Sequence, residues 1–407
     1  MLDYHEALTQ LLDALPGPVG GHDLPLAQCV GRVLANSVVA CQDTPLFDNS
    51  AMDGYAVADT SGHLTTFTVV DRIAAGDVAS SPLREGEAAR IFTGAPVPAG
   101  ATAVVPQEQT QRDGTLVHME QAPRAGSNIR RRAEEYAAGA VLLAPGTVLD
   151  AAAIALAASQ GHACLSVTRP LRVMVFSSGN ELRQPGETLA SGQIWDANRY
   201  QLLAWLAGLS VEVIDGGILP DEASVTRMRL QEAVEQADVV LTSGGVSVGE
   251  EDHVRAALEA IGHLEVWKLA IKPGKPFAWG TAGRAHVFML PGNPVATFVT
   301  FHQMVAPALR RLQGQPALAV RPASFQAVSS FARSKREPRR EFLRAVMTPC
   351  EDGRWAVRAL QGQGSAMLSA CVEANALMEV PPDTPVREGD ILSVYPLPLK
   401  SWSVSHV

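Results

Sequence analysis

One stretch, residues 237–252, constrains the fold more than any other part of the chain; it reads ADVVLTSGGVSVGEED. The apolar, β-branched run that ends at Thr242 predicts a buried strand. Gly244 and Gly245 then interrupt the run, and the apolar spacing over 254–261 predicts a helix. Where a glycine turn joins a strand to a helix start, backbone N–H groups and the helix dipole can bind an anion.

The same turn has a second interpretation, a tight connection with no ligand. It is not a P-loop, because no Gly-Lys-Ser/Thr follows the glycines, and it lacks the GxGxxG spacing of dinucleotide-binding folds. A glycine pair alone favours the structural turn. The acids and lysines predicted to lie near it shift the balance towards an anion site.

Composition excludes several classes of protein. A chain of 407 residues has room for about two to four domains. Its 47% hydrophobic and 5% aromatic content is typical of a folded enzyme, and its net charge of −9 argues against a nucleic-acid partner. The five cysteines are scattered without a CxxC pair, and no apolar run approaches membrane-spanning length. These features predict a cytoplasmic protein with no membrane association.

From residue 171 the chain alternates predicted strands and helices as far as 318. The predicted strands include LRVMVF, VEVIDGGIL, EVWKLAI and AHVFML. Repeated β–α–β units predict a parallel sheet with right-handed crossovers. Ligands of such sheets bind at the carboxyl ends of the strands. The turns SSGNE, PDE, SGGVSVG and LPGNP are therefore predicted to meet at one edge of the sheet.

Regions rich in short strand patterns flank this α/β region, and Asp3 with Glu6 forms a capping-box pattern ahead of a first helix. The predicted fold class is a multidomain α/β and β protein, with a central parallel-sheet domain, a β-rich second domain and a C-terminal β domain. The predicted segments are an N-terminal helix and linking segment at 1–40, the second domain at 41–139, a return linking segment at 140–170, the α/β domain at 171–318 and the C-terminal domain at 319–407.

Lysines and acids form the sharpest predicted constellation. In KLAIKPGKP, Lys268 and Lys272 are four residues apart and would project from one face of a strand, and Lys275 follows a Pro-Gly turn. Lysines on a partly buried strand need anions or carboxylates to pair them. The acids predicted at the same sheet edge are Glu181, Asp221 and Asp252. Together these groups predict a site for a phosphate bridged by Mg²⁺, which prefers oxygen ligands.

Two basic runs have open interpretations. The run at 130–132 is three consecutive arginines followed by Glu134 and Glu135, which suits an exposed surface, an ion-pair network or an anion contact. The run at 333–344 carries six basic residues against Glu337 and Glu341. A solvated charged surface and an anion site are equally supported there, because arginine forks bind oxyanions well.

Seven motifs in order, FDNSAMDGYAV, TGAPVP, NIRRR, SSGNEL, SGGVSVGEED, KLAIKPGKP and LPGNP, resemble the molybdopterin molybdenumtransferase family. The resemblance covers nearly the whole chain. It implies that adenylylated molybdopterin and molybdate give molybdenum cofactor and AMP, with Mg²⁺. It also implies an elongated homodimer whose active site lies between the α/β molybdopterin-binding domain of one subunit and the second domain of the other. A molybdopterin adenylyltransferase is then a candidate partner.

The resemblance also implies roles for particular residues. Those implied in catalysis are Asp53, Glu181, Asp221, Asp252, Lys268 and Lys272, with Glu181, Asp221 and Asp252 holding the metal. Those implied in substrate binding are Thr93, Arg130, Ser243, Gly244, Gly245, Ser247, Lys275, Pro291, Pro294, Arg344 and Ser365. Among these, Arg344 and Ser365 match positions that the family associates with molybdate.

Departures from the family pattern leave some roles open. Ala133 stands where the family usually has glycine, and Glu135 where it has aspartate. Asn180 replaces an aspartate at the sheet edge, and His253 replaces a common tyrosine. Two alternative functions are a molybdopterin-binding scaffold without turnover and a molybdopterin adenylyltransferase. The retained lysines and acids argue against the scaffold, and the additional domains argue against the adenylyltransferase.

Overall fold

A computed structural model describes residues 1–18, 20–246 and 253–398. The chain forms two compact units. The first comprises Met1–Asn36, Pro145–Leu149 and Ser166–Val407, and the second comprises Ser37–Ala144 and Asp150–Leu165. The finer subdivision into five segments stays a prediction.

The first helix, Tyr4–Ala14, begins where the capping pattern predicts it. The Asp3 carboxylate accepts hydrogen bonds from the backbone N–H groups of His5 at 2.8 Å and Glu6 at 3.4 Å. These bonds satisfy two of the N–H groups that every helix start leaves without a partner. The apolar face of the helix, including Leu8, is buried in the largest core of the first unit.

The other helices of the first unit flank a sheet and a barrel. They are Asn198–Leu206, Ala223–Gln236, His253–Ile261, Pro294–Thr300, Ala306–Leu312, Ala317–Val320 and Ser369–Glu373. A π-helical turn, Phe301–Val305, joins Pro294–Thr300 to Ala306–Leu312, and Leu26–Gln28 is a 3₁₀ turn. Within the described ranges, no helix has the length and apolar character needed to span a membrane.

The central sheet of the first unit has six strands. Their spatial order is Glu212–Leu219, Arg172–Ser178, Val239–Ser243, Ala285–Leu290, Pro276–Ala282 and Gly262–Lys268. The first four are mutually parallel, as the β–α–β pattern predicts. Pro276–Ala282 runs antiparallel to both of its neighbours. Only Gly283 and Arg284 separate it from Ala285–Leu290, and a two-residue connection can join only antiparallel strands.

Both faces of this sheet are covered. Val173 and Val175 pack with Leu202 of the helix Asn198–Leu206 in one core. The alternate residues Met174 and Phe176 pack with Leu230 of the helix Ala223–Gln236 in another. Because both faces are buried, the strand reads as a continuous apolar run instead of an alternating one.

The C-terminal strands close into a five-stranded barrel. The order is Arg340–Pro349, Trp355–Ala359, Phe325–Ser329, Ile391–Pro396 and Ala376–Val380, and the last pairs back to Arg340–Pro349. The short pair of residues Ile271–Lys272 adds to Arg340–Pro349 from outside the ring. The sequence predicted a β domain here, whereas the strand Ala376–Val380 and the closure were not predicted.

The second unit is built around another six-stranded sheet. Its order is Ala103–Pro106, Gly54–Val57, Glu87–Ile91, Thr66–Ile73, Leu116–Met119 and Thr110–Asp113. Two short pairs join Val38–Val39 with Val141–Leu143 and Asn49–Ser50 with Ile129–Arg130. The helix Ala151–Ser159 and the 3₁₀ turn Gln107–Gln109 also belong to this unit. Two further two-stranded pairs lie outside the six-stranded sheets of both units; their strands are Gly21–Pro25 with Cys164–Thr168, and Leu182–Arg183 with Ile194–Trp195.

Candidate functional site

A cleft of about 990 Å³ opens at the carboxyl edge of the central sheet of the first unit. Three of the four predicted turns line it; the PDE turn does not. The predicted site residues on its wall are Glu181, Ser243, Gly244, Gly245, Lys272, Lys275, Pro291, Pro294 and Ser365. The geometry therefore brings together most of the residues assigned to this unit, while their individual roles stay predictions.

The glycine turn has a backbone that only glycine accepts easily. Gly244 and Gly245 have φ of 93° and 71°, in the left-handed region. A Cβ added to Gly244 would lie 2.8 Å from the Ser178 Oγ and 3.0 Å from the Ser178 carbonyl oxygen. The absence of side chains thus leaves the backbone of this turn close to its neighbouring strand and open towards the cleft.

Asn198 was missed by the sequence reasoning. Its side-chain amide donates hydrogen bonds to the Ser243 Oγ and to the Gly292 carbonyl oxygen, both at 2.7 Å. It thereby ties the glycine turn to the LPGNP turn across the cleft wall. A polar residue at the start of a predicted helix was the signal that could have identified it.

A buried ionic network supports the same wall. Arg199 is 2% exposed and Asp196 is 1% exposed, and their side chains are joined at 3.0 Å. Arg199 also bonds Asp215 at 2.6 Å, and Asp196 accepts from the Ser177 Oγ at 2.9 Å. Burial lowers the pKa of Arg199, but the bonds to Asp215 and Asp196 outweigh it and the pKa is raised.

Two of the acids predicted to hold a metal, Glu181 and Asp221, lie in different surroundings. Glu181 is exposed on the cleft wall and folds over Gly179, whose added Cβ would lie 2.2 Å from its Oε2. Asp221 instead accepts the Asn180 N–H at 2.9 Å, and Asn180 Oδ1 accepts the Asp221 N–H at 3.1 Å. Among the residues with described coordinates, no three His, Cys, Asp or Glu side chains form a metal-binding group. Glu181 has the oxygen chemistry that Mg²⁺ prefers.

The prediction that one strand carries both Lys268 and Lys272 is wrong. The strand Gly262–Lys268 ends at Lys268, which is exposed and does not line the cleft. Ile271–Lys272 pairs with the barrel strand instead, so Lys268 and Lys272 do not share a strand face. The Leu269 N–H still bonds the Lys275 carbonyl oxygen at 2.8 Å, in register with the pair Lys268 and Pro276, whereas the Ala270 N–H bonds the Leu2 carbonyl oxygen at 2.8 Å, so the chain leaves the sheet ladder between the two lysines.

The basic run at 333–344 is largely an ion-pair network. Glu337 pairs with Lys272 at 2.8 Å and with Arg339 at 3.0 Å. Glu341 pairs with Arg333 and lies 3.5 Å from Lys272. The hydrogen bond from Lys272 holds the pKa of Glu337 below its usual value; burial opposes this shift, and the hydrogen bond from Arg339 adds to it. The carboxylates thus offset part of the positive charge that the sequence suggested.

Arg344 supports the loop that carries Ser365. Its guanidinium is fully buried and donates to the carbonyl oxygens of Gly362 and Gly364 at 3.0 and 3.2 Å. Its Nε and Nη1 have no hydrogen-bond partner among the described residues, and burial lowers its pKa. The Ser365 carbonyl oxygen accepts the Val295 N–H at 3.0 Å, so the loop is also fixed to the α/β domain.

Two apolar side chains on the cleft wall were also missed, Ile194 and Trp195. They form a short strand parallel to Leu182–Arg183 and are 55% and 54% exposed. Their exposure has no sequence signal, because it depends on which segments pack nearby in the tertiary structure.

The second unit holds the remaining predicted site residues. The Asp53 carboxylate accepts the Thr93 backbone N–H at 2.8 Å and its hydroxyl at 2.7 Å, and both residues are exposed. The backbone bond, followed by the hydroxyl bond, lowers the pKa of Asp53. Arg130 is exposed on the strand Ile129–Arg130.

The neighbours of Arg130 have structural partners in the second unit. Arg131 pairs with Asp48 at 2.7 Å, and Arg132 pairs with Asp43 at 2.5 Å. Of the three proposed interpretations of this run, the ion-pair network applies to Arg131 and Arg132. Ser247 and Asp252, which belong to the first unit in sequence, lie outside the described residues.

Ala133 follows these arginines with a φ of 61°, a conformation that costs a non-glycine residue about 1–2 kcal/mol. Replacing it by glycine removes that cost but adds about 0.5–1 kcal/mol of backbone entropy loss. We expect Ala133→Gly to raise the free energy of unfolding of the second unit by about 0.5–1 kcal/mol, measured by chemical denaturation. Ala137→Gly, at an exposed residue without positive φ, should lower it; equal effects would contradict the explanation.

A mainly parallel α/β sheet, with a glycine turn, two lysines and Glu181 around a cleft at its carboxyl edge, defines the class of α/β proteins that bind ligands at this edge. Three family models match the chain: MoeA N-terminal region (domain I and II) over 2–161, probable molybdopterin binding domain over 174–311, and MoeA C-terminal region (domain IV) over 326–397.

Curated and solved relatives agree with these matches. The chain is 40% identical over 93% of its length to a molybdopterin molybdenumtransferase of Haemophilus influenzae, covering 94% of that protein. It is 36% identical over 92% of its length to molybdopterin molybdenumtransferase 2 of Mycobacterium tuberculosis, covering 94% of it. A molybdopterin biosynthesis MoeA protein from Pyrococcus horikoshii superposes with a TM-score of 0.84 at 29% identity, covering 98% of this chain and 100% of the other. The chain belongs to the molybdopterin molybdenumtransferase family, which confirms the resemblance of its motifs.

Proposed function

We propose that this chain is a transferase that inserts molybdate into adenylylated molybdopterin, releasing AMP and forming molybdenum cofactor. One observation carries the proposal: a single cleft joins Lys272, Lys275 and the glycine turn to the loop of Ser365. The 40% identity to the Haemophilus influenzae protein, over nearly the whole of both chains, supports the same assignment.

The lysines and the glycine turn are assigned to the pyrophosphate of the substrate. Release of AMP breaks one P–O bond of that pyrophosphate while an oxygen of water or of the substrate molybdate forms a new bond to that phosphorus, and negative charge develops on the departing oxygen. Lys272 and Lys275 lie on the wall where this charge would develop, and such cations lower the barrier when they are fixed before the reaction. The uncovered backbone at Gly244 and Gly245 lets N–H groups approach phosphate oxygens closely.

We assign the region of Arg344 and Ser365 to molybdate. The Nε and Nη1 of Arg344 are buried donors without partners in the described structure. Arg344 itself is fully buried and is not among the residues lining the cleft, so we assign it a positioning role, in which it holds the loop that would contact molybdate. The Ser365 loop, which Arg344 positions through Gly362 and Gly364, lines the cleft.

We also propose Mg²⁺ dependence and a cytoplasmic location. Two described acids line the cleft, Glu181 and Asp196. Asp196 is buried and paired with Arg199, so the exposed Glu181 would hold the metal together with substrate oxygens. When bound, Mg²⁺ would neutralise pyrophosphate charge. Asp221 supports the turn through Asn180, so we assign it a positioning role beside Glu181.

The deciding experiment incubates the purified chain with adenylylated molybdopterin, molybdate and Mg²⁺ and measures AMP by chromatography. AMP release that depends on molybdate supports insertion. Binding of the pterin without AMP release would instead indicate a scaffold, and conversion of molybdopterin and ATP into the adenylylated pterin would indicate an adenylyltransferase. Omitting Mg²⁺ tests the metal separately.

We propose, finally, a homodimer in which the partner subunit contributes Asp53 to the cleft, with a molybdopterin adenylyltransferase as a candidate supplier of substrate. Asp53→Asn keeps an oxygen that can accept from Thr93 but removes the charge. We expect Asp53→Asn and Lys272→Met chains to be weakly active alone and to regain activity when mixed, because one cleft of each heterodimer would be intact. Activity is read as AMP release after subunit exchange.

Verified subunit exchange without any recovery of AMP release would show that both residues act within one chain. A mixture of Asp53→Asn with the wild-type chain provides the control for simple dilution.

A further inference from the structure

Trp195 has an exposure that its chemistry does not explain. Trp195 is 54% exposed. The other tryptophans that the structure describes are buried or half-buried: Trp205, Trp267, Trp279 and Trp355. Within the same ranges no other aromatic ring stacks on it. A large apolar side chain left in water at the wall of a cleft points to a ligand that covers it.

The indole is anchored although its surface is uncovered. Its Nε1–H donates to the Glu187 carbonyl oxygen at 3.0 Å. The backbone of Trp195 pairs with Arg183 in the short parallel ladder. A ring held in place before binding loses little conformational entropy when a partner stacks on it. Tryptophan also offers a large flat surface on which a planar ring system can stack.

The cleft wall around Trp195 combines apolar and positively charged side chains. Ile194 beside it is also exposed and apolar, whereas Lys272, Lys275 and the glycine turn on the same cleft are suited to phosphate. A ligand that fits both kinds of surface has a planar heterocycle at one end and a phosphate group at the other. The cleft of about 990 Å³ has room for such a molecule.

We propose that Trp195 is the stacking platform for a planar heterocycle of the substrate, and so a specificity-determining residue of this cleft. The inference rests on the proposed function, whose substrate carries two such rings, adenine and pterin, joined through phosphates. Shared stacking chemistry makes both rings candidates, and the ligands of the experiment distinguish them.

The test measures equilibrium binding of AMP, ribose 5-phosphate and molybdopterin to the full chain by calorimetry. Loss of one stacking contact weakens binding by about tenfold or more, so Trp195→Ala should bind AMP or molybdopterin about tenfold more weakly. Ribose 5-phosphate has no heterocycle, and its affinity should not change. Trp195→Phe, which keeps a flat ring, should retain most of the affinity. A loss for AMP identifies adenine as the ring on the platform, and a loss for molybdopterin identifies the pterin.

Phe325→Ala is the matched control, because Phe325 is an exposed ring of the same unit that does not line the cleft. Unchanged binding of both heterocyclic ligands by Trp195→Ala would overturn the proposal. AMP release by the wild-type chain is measured in parallel. Turnover with unchanged binding by Trp195→Ala rejects the platform alone, whereas weakened binding without any turnover by the wild type rejects the proposed reaction alone.

Discussion

Replacing Arg199 by methionine is expected to lower the free energy of unfolding of the first unit by about 3–5 kcal/mol, the usual effect of removing one partner from a buried ion pair. Arg199 and Asp196 are almost completely buried. Without the guanidinium, the Asp196 carboxylate would keep only the Ser177 hydroxyl at 2.9 Å and the Arg199 backbone N–H at 3.2 Å. The measurement is the midpoint and slope of urea unfolding followed by circular dichroism.

Two further variants separate burial of charge from loss of packing. Asp215 contacts the same guanidinium but is 48% exposed, so Asp215→Asn should change stability by less than about 1 kcal/mol. Asp196→Asn added to Arg199→Met removes the unpaired charge and should recover part of the loss. If Arg199→Met unfolds at the wild-type urea concentration, the network does not stabilise the cleft wall.

Replacing Lys272 by methionine is expected to weaken binding of adenylylated molybdopterin by about 1–3 kcal/mol, since a cation that bonds an anion in a partly desolvated cleft contributes that much. Folding should survive the change. Glu337 would keep Arg339 at 3.0 Å and Glu341 would keep Arg333, so neither carboxylate is left without a cation. Binding is measured by calorimetry, and stability by urea unfolding of the same sample.

Lys335→Met is the matched control for Lys272. Lys335 is an exposed lysine of the same unit that does not line the cleft, so its loss changes net charge equally without touching the site. Equal affinities of the two variants would place the pyrophosphate away from Lys272. If Lys272→Met lowers both the affinity for the substrate and the free energy of unfolding, the lysine acts through the ion-pair network instead.

The lysines also show where sequence spacing fails. Lys268 and Lys272 are correctly spaced for one strand face, but the chain leaves the strand between them. The Ala270 N–H bonds the Leu2 carbonyl oxygen at 2.8 Å, and Ile271–Lys272 pairs with the barrel strand Arg340–Pro349. These partners are remote in the sequence, so a local pattern contains no trace of them.

The sequence by itself determined the elements whose causes are local. The apolar runs predicted buried parallel strands, the Asp3 cap predicted the first helix, and Gly244 and Gly245 predicted a tight turn at the end of a strand. Because the carboxyl ends of parallel strands share one edge, the sequence alone places the motifs on three turns around one cleft.

Only the tertiary structure decided which charges are offset and which side chains stay uncovered. The pairing of Lys272 with Glu337 joins residues 65 positions apart, and the bond from Asn198 to Gly292 spans 94. The exposure of Trp195 likewise depends on how the other segments of the chain pack around it. Such contacts depend on closing long loops, and their partners are set by the packing of whole elements, for which neighbouring residues in the sequence provide no signal.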